Sequence, residues 1–111
     1  MELILFIKLN CPACAALRSI ITEYVDIYPQ ANSHIYLMNI EDPTKAEYVR
    51  IYEVVAAPTL LLVNPDDEVG KFVARSIGVT DLKSLEKFLD GRLVNVGIGI
   101  GKSGSQLVQG I

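Results

Sequence analysis

The chain has 111 residues, half of them apolar, with 10 Lys and Arg against 13 Asp and Glu and a formal charge of −3. That length suits one domain with a single core. The weak acidic balance and the lack of a basic stripe exclude nucleic acid as a partner. The longest apolar stretch, Val54 to Val63, is interrupted by Pro58 and is far short of the roughly 18 residues that cross a membrane, so no membrane partner is expected. Glu2 follows Met1 at once, without a basic segment or a small-residue cleavage site, and the expected location is the cytoplasm.

Leu3-Ile4-Leu5-Phe6-Ile7 is a continuous apolar run, the pattern of a central strand buried on both faces. Directly after it comes Cys11-Pro12-Ala13-Cys14, which contains both cysteines of the chain. Asn10 is placed to cap a helix, and Pro12 suits a first turn. Leu17, Ile20, Ile21, Tyr24, Ile27 and Tyr28 then recur at three and four, one apolar helix face, until Pro29 ends it.

A polar turn through Gln30, Asn32, Ser33 and His34 leads to a second strand, Ile35 to Ile40. Strand, helix, strand within so few residues predicts parallel pairing with a right-handed crossover. Asp42-Pro43 opens a second helix from Thr44 to Glu53. Thr59 to Val63 and Lys71 to Ile77, joined by Asn64-Pro65-Asp66-Asp67, read as an antiparallel hairpin. Gly78 breaks the second of these strands. Thr80 or Asp81 caps a third helix built on Leu82, Leu85, Phe88 and Leu89, and Gly91 suits the position just beyond its end. Residues 1–92 thus form the domain. Residues 93–111 hold five of the eight glycines and make a tail, an added edge strand or a flexible or partner-bound segment, to which no chemistry is assigned.

The chemistry concentrates at the cysteines. Residues three apart on a helical turn share a face, within small adjustment of disulfide geometry. A helix N-terminus favours the thiolate at the first of them, the redox reading of this motif. In a reducing compartment such a pair cycles instead of remaining a fixed bridge. A closed zinc site needs four ligands, and beyond the cysteines there is only His34. The metal alternative is therefore one ion shared between the motifs of two chains. Tyr24, Tyr28, Tyr48 and Tyr52, paired at spacings of four, read as half-buried core with surface hydroxyls. Glu41-Asp42 and Asp66-Asp67-Glu68 read as turns and solvated faces.

The order β-α-β-α-β-β-α, with Cys11-Pro12-Ala13-Cys14 at the first strand–helix junction and Ala57-Pro58-Thr59 before the third strand, resembles the thioredoxin fold over roughly residues 2–91. The strand sequences Met38-Asn39-Ile40-Glu41 and Pro58 to Val63 are also similar to thioredoxin's. The resemblance implies an α/β, thioredoxin-like domain of glutaredoxin size. Its central four-stranded mixed sheet would be flanked by helices and followed by the Gly-rich C-terminal tail. It implies Cys11 as nucleophile, Cys14 as resolving thiol and Lys8 as a thiolate-stabilising cation. It also implies a substrate surface of Pro12, Ala13, Ala57, Pro58, Thr59 and Gly78, with Pro58 cis and the Ala57 backbone free to pair with an extended partner.

Some positions lean toward glutaredoxins: the start of the chain close to the first strand, Lys8, and Gly78 followed by Thr80-Asp81. Others depart from both branches. Ala56 stands where glutaredoxins have a glutathione-binding threonine, Asn10 where thioredoxin has tryptophan, and Leu5 where thioredoxin has a buried aspartate. The expectation is a monomeric dithiol–disulfide oxidoreductase acting on protein disulfides, reloaded by a reductase or by glutathione, with no cofactor beyond its own cysteine pair and no metal. The alternatives are a glutaredoxin using glutathione and, in another class, a redox-inactive or metal-bridged interaction module.

Overall fold

A computed structural model of the chain describes residues 1–93. The elements are β1 (Glu2–Ile7), α1 (Pro12–Ile27), β2 (Ile35–Asn39), α2 (Ala46–Ile51), β3 (Thr59–Val63), β4 (Ala74–Ser76) and α3 (Leu82–Leu89), with 3-10 turns at Pro29–His34 and Pro43–Lys45. The strands form one mixed sheet in the order β2-β1-β3-β4. β1 runs parallel to β2 and antiparallel to β3, and β3 antiparallel to β4.

The two central strands are apolar on both faces because both faces are covered. On one face Leu3, Leu5, Ile7, Leu60 and Leu62 meet Cys14, Leu17, Ile21 and Tyr24 of α1 and Leu85 and Leu89 of α3, the larger core. On the other, Ile4, Phe6, Leu61 and Val63 meet Tyr52 and Val54, the smaller one. The period of three and four along α1 is what brings its four buried residues to the sheet.

The structure departs from the sequence reading at several points, each with a physical cause. Asn10 does not cap α1: its backbone is left-handed (φ 55°), and the cap is the side chain of Cys11, which accepts from the Cys14 N–H. The second helix begins later than Thr44 because Asp42 caps a 3-10 turn over Pro43–Lys45. It ends before Glu53, where the backbone turns left-handed (φ 52°) and the Val54 N–H reaches back to the Val49 carbonyl at 2.9 Å. The Arg75 guanidinium holds the freed carbonyls of Tyr52 and Glu53.

The fourth strand covers Ala74–Ser76, not Lys71–Ile77. Gly70 (φ 102°) turns the chain, and Lys71 N–H closes back on the Glu68 carbonyl before pairing begins. The tyrosines are not uniformly half-buried, since Tyr24 and Tyr52 lie in the two cores while Tyr48 is exposed.

Leu93, which the sequence assigned to the tail, is buried in the larger core. The question of an added strand between Val94 and Ile111 lies outside the described residues. Among the described residues no helix is long and apolar enough to cross a membrane.

Candidate active site

The site is assembled at one end of the sheet. The chain leaves β1 at Ile7 and reaches Cys11 through the exposed turn Lys8-Leu9-Asn10. β1 pairs antiparallel with β3, Phe6 opposite Thr59, so Pro58 and Ala57 come in beside the residues that lead to the cysteines. β4 runs back antiparallel, Ser76 opposite Leu60, and delivers Gly78 to the same end. Strand direction therefore brings three segments far apart in sequence to the same end of the sheet.

Cys11 is extended (φ −123°, ψ 100°), and Pro12 sets the first turn of α1. The Cys11 sulfur accepts the Cys14 N–H at 3.1 Å, and the Cys11 carbonyl accepts the Ala15 N–H at 3.0 Å. The Cα atoms of Cys11 and Cys14 are 5.2 Å apart and their sulfurs are joined as a disulfide, a spacing ordinary for such a bond. Cys11 is half-buried, whereas Cys14 keeps only 2 % of its surface. The pair is thus asymmetric, one sulfur at the surface and one behind it. A sulfur that accepts a backbone N–H at a helix start is stabilised as the anion.

Ala57–Pro58 is a cis peptide bond, as the resemblance implied. Thr59 is buried, and its hydroxyl donates to the Ala56 carbonyl at 2.6 Å. Its side chain therefore ties down the turn that presents Ala57 and Pro58. Pro12 and Ala13 are exposed beside Cys11. Gly78 is exposed, has nothing within 4 Å of where a Cβ would stand, and donates its N–H to Ser76 Oγ at 3.1 Å. Lys8 is exposed and lines, with Leu9, Asn10, Cys11, Cys14 and Arg18, an open hollow of about 410 Å³.

His34 precedes Ile35, which pairs with Leu3. It stands at the opposite end of the sheet and does not join the two sulfurs. Leu5 lies in the same core as Cys14, and Thr59 is the buried polar residue among the described ones. The space behind Cys14 is therefore hydrocarbon.

No family model and no curated protein matches the sequence. Solved structures do match it. Thioredoxin 1 from Thermosipho africanus superposes with a TM-score of 0.63 at 14 % identity, over 84 % of this chain and 94 % of that one. Thioredoxin O2 from Arabidopsis thaliana in its oxidized state gives 0.59 at 20 %, over 84 % and 75 %. Mitochondrial thioredoxin 3 from Saccharomyces cerevisiae in its oxidized form gives 0.57 at 22 %, over 80 % and 76 %. The fold is thioredoxin-like.

Within the thioredoxin-like domain, two residues near the site carried no signal that the sequence reading used. Arg75 fastens the end of α2, from which the chain runs on to Ala57. Arg18 stands one turn after Cys14 and two after Cys11 on α1, a spacing legible in the sequence once the helix start is fixed.

Proposed function

We propose that the thioredoxin-like chain is a dithiol–disulfide oxidoreductase that reduces disulfides of protein substrates. The observation that carries this reading is the asymmetry of the pair. Cys11 is reachable at the cap of α1 and takes an N–H from Cys14, while Cys14 is 2 % exposed directly behind it.

In the reduced chain the Cys11 thiolate attacks one sulfur of the substrate disulfide. That S–S bond breaks, a mixed disulfide forms, and the departing substrate sulfur takes a proton from solvent. Cys14 then loses its proton and attacks the Cys11 sulfur, releasing the second substrate thiolate. The substrate gains two electrons and two protons, and the Cys11–Cys14 pair is left oxidised. With hydrocarbon behind Cys14, its proton must leave toward the substrate side, through water or the departing thiolate. A reductase or glutathione returns the two electrons. Pro12, Ala13, Ala57, Pro58 and Gly78 frame the entry, Thr59 holds it in place, and Lys8 adds positive charge beside the Cys11 thiolate. The chain works as a cytoplasmic monomer and needs no metal or further cofactor.

The test pairs two variants in an insulin-reduction assay. Cys14→Ser should accumulate a mixed disulfide through Cys11, visible by mass spectrometry, and Cys11→Ser should show no turnover. Turnover in Cys11→Ser removes the nucleophile assignment. A glutathione adduct on Cys11 together with glutathione-driven turnover would reassign the chain to glutaredoxin chemistry.

A further inference from the structure

The hollow beside the cysteines has a second cation, Arg18, that the reduction step does not use. Lys8 and Arg18 are its charged lining residues, and none of the lining residues is acidic. Both side chains are exposed, and among the described residues neither makes an ion pair: the pairs there are Arg50 with Glu47 and Lys71 with Glu68. Two unneutralised cations beside the reactive sulfurs stand out in a chain whose net charge is −3.

The hollow also has a direction. A second one, of about 290 Å³, shares Ala15 and Arg18 with the first and continues along α1 past Ser19 to Thr22. At 1.5 Å per helical residue, Cys11 to Thr22 spans about 16 Å. An extended polypeptide covers that length with about five residues at roughly 3.3 Å each. A tripeptide-sized thiol fills little more than half of it.

We infer that this surface binds an acidic segment of the protein substrate, lying along α1 from the attacked disulfide, with its carboxylates at Lys8 and Arg18. The inference rests on the reading of Cys11 as the nucleophile, since that places the substrate sulfur at the head of the trough. The net negative charge of the rest of the chain repels such a segment, so the two cations fix where along the surface it binds and not only how tightly. Exposed ion pairs are each worth a factor of about two to five in affinity at low salt. Together they should separate an acidic from a basic segment by roughly tenfold, a difference that fades toward 1 M salt as the screening length falls to about 3 Å.

The test uses sulfur-free probes, so that it does not depend on turnover. Short extended peptides with serine in place of cysteine, flanked by two glutamates or by two lysines, are titrated into the whole 15N-labelled chain and followed by NMR. The expected result is saturable shifts from Lys8 to Arg18 with the glutamate peptide, roughly tenfold weaker binding of the lysine peptide, and reversal of that order in the double variant Lys8→Glu, Arg18→Glu. Both residues are exposed, and the milder Arg18→Ala, which should lower the preference partway, checks that the loss is one of charge. Equal binding of the two peptides, absence of shifts at millimolar peptide, or a preference unchanged by the double variant would overturn the inference. Glutathione reproducing the same shifts and the same charge dependence would overturn it too, assigning the trough to a small anionic thiol. A failure of the nucleophile assignment would appear separately, as turnover in Cys11→Ser.

Discussion

The Thr59 hydroxyl offers the sharpest test of how the site is held. It is buried and donates to the Ala56 carbonyl at 2.6 Å, and Thr59→Val keeps the shape of the side chain while removing that bond. A neutral hydrogen bond of this kind is worth about 1 kcal/mol net. The loss should not climb toward the roughly 3 kcal/mol of an orphaned buried acceptor, because Ala56 is exposed and water can reach its carbonyl. With a urea dependence of about 1 kcal/mol/M for a domain this small, the unfolding midpoint should fall by about 1 M.

The same change frees the turn that presents Ala57 and Pro58, so kcat/KM for a protein disulfide should drop several-fold. Alkylation of Cys11 by iodoacetamide reports on the α1 cap and should not change. Thr59→Ser separates the two effects: it keeps the hydroxyl and the activity, but loses a buried methyl and about 1 kcal/mol. An unchanged midpoint in Thr59→Val, or Cys11 alkylation falling in step with kcat/KM, would show that the bond does not organise the turn.

Leu85 of α3 has no exposed surface and sits in the larger core with Leu17 and Leu89. Leu85→Ala should cost about 3 kcal/mol in urea unfolding, and a loss below about 1 kcal/mol would mean that the α1–α3 contact is loose. Tyr24 has its phenol pushed up to about 12, first by burial and then by the neighbouring Tyr28 and Glu86. Because the folded value lies above the unfolded one, the stability it contributes is complete below pH 10. It drains between pH 10 and about 12, as the unfolded chain ionises first. The decline should reach up to roughly 1 kcal/mol per pH unit once water at the hydroxyl is discounted. Urea midpoints measured across that range should fall less steeply in Tyr24→Phe, and identical slopes would refute the assignment.

Much of this was legible in the sequence because it depends on patterns of short range. The apolar run of β1, the three-and-four spacing of α1 and the turn residues around β3 each fix an element locally. The position of Cys11-Pro12-Ala13-Cys14 between the first two then fixes where the sulfurs go. What escaped depends on contacts across the fold. The early end of α2 rests on Arg75, 22 residues beyond Glu53, a partner that no local pattern names. Asn10 has the chemistry of a cap, but the left-handed turn leading out of β1 passes that role one residue on, to a sulfur. Tyr24 and Tyr52 share a spacing with Tyr28 and Tyr48, yet only sheet packing decides which pair member is covered.

The two faces of the sheet are unequally padded, and the chain reaches the two halves of the site from opposite faces, although Ala57 itself rests against the larger core beside Cys11 and Cys14. Cys11 and Cys14 start a helix of 16 residues seated on the larger core. Ala57 and Pro58 end a segment that follows a helix of six residues, none of them buried, over the smaller one. Local unfolding starts where the fewest apolar contacts must be broken. The α2 side therefore opens at lower free energy than α1, and amides from Val49 to Ala57 should lose protection before those from Leu17 to Tyr24. Such an opening loosens the chain that leads to Ala57 and Pro58 and leaves the two sulfurs in register, so one arm of the candidate site is held far more loosely than the other.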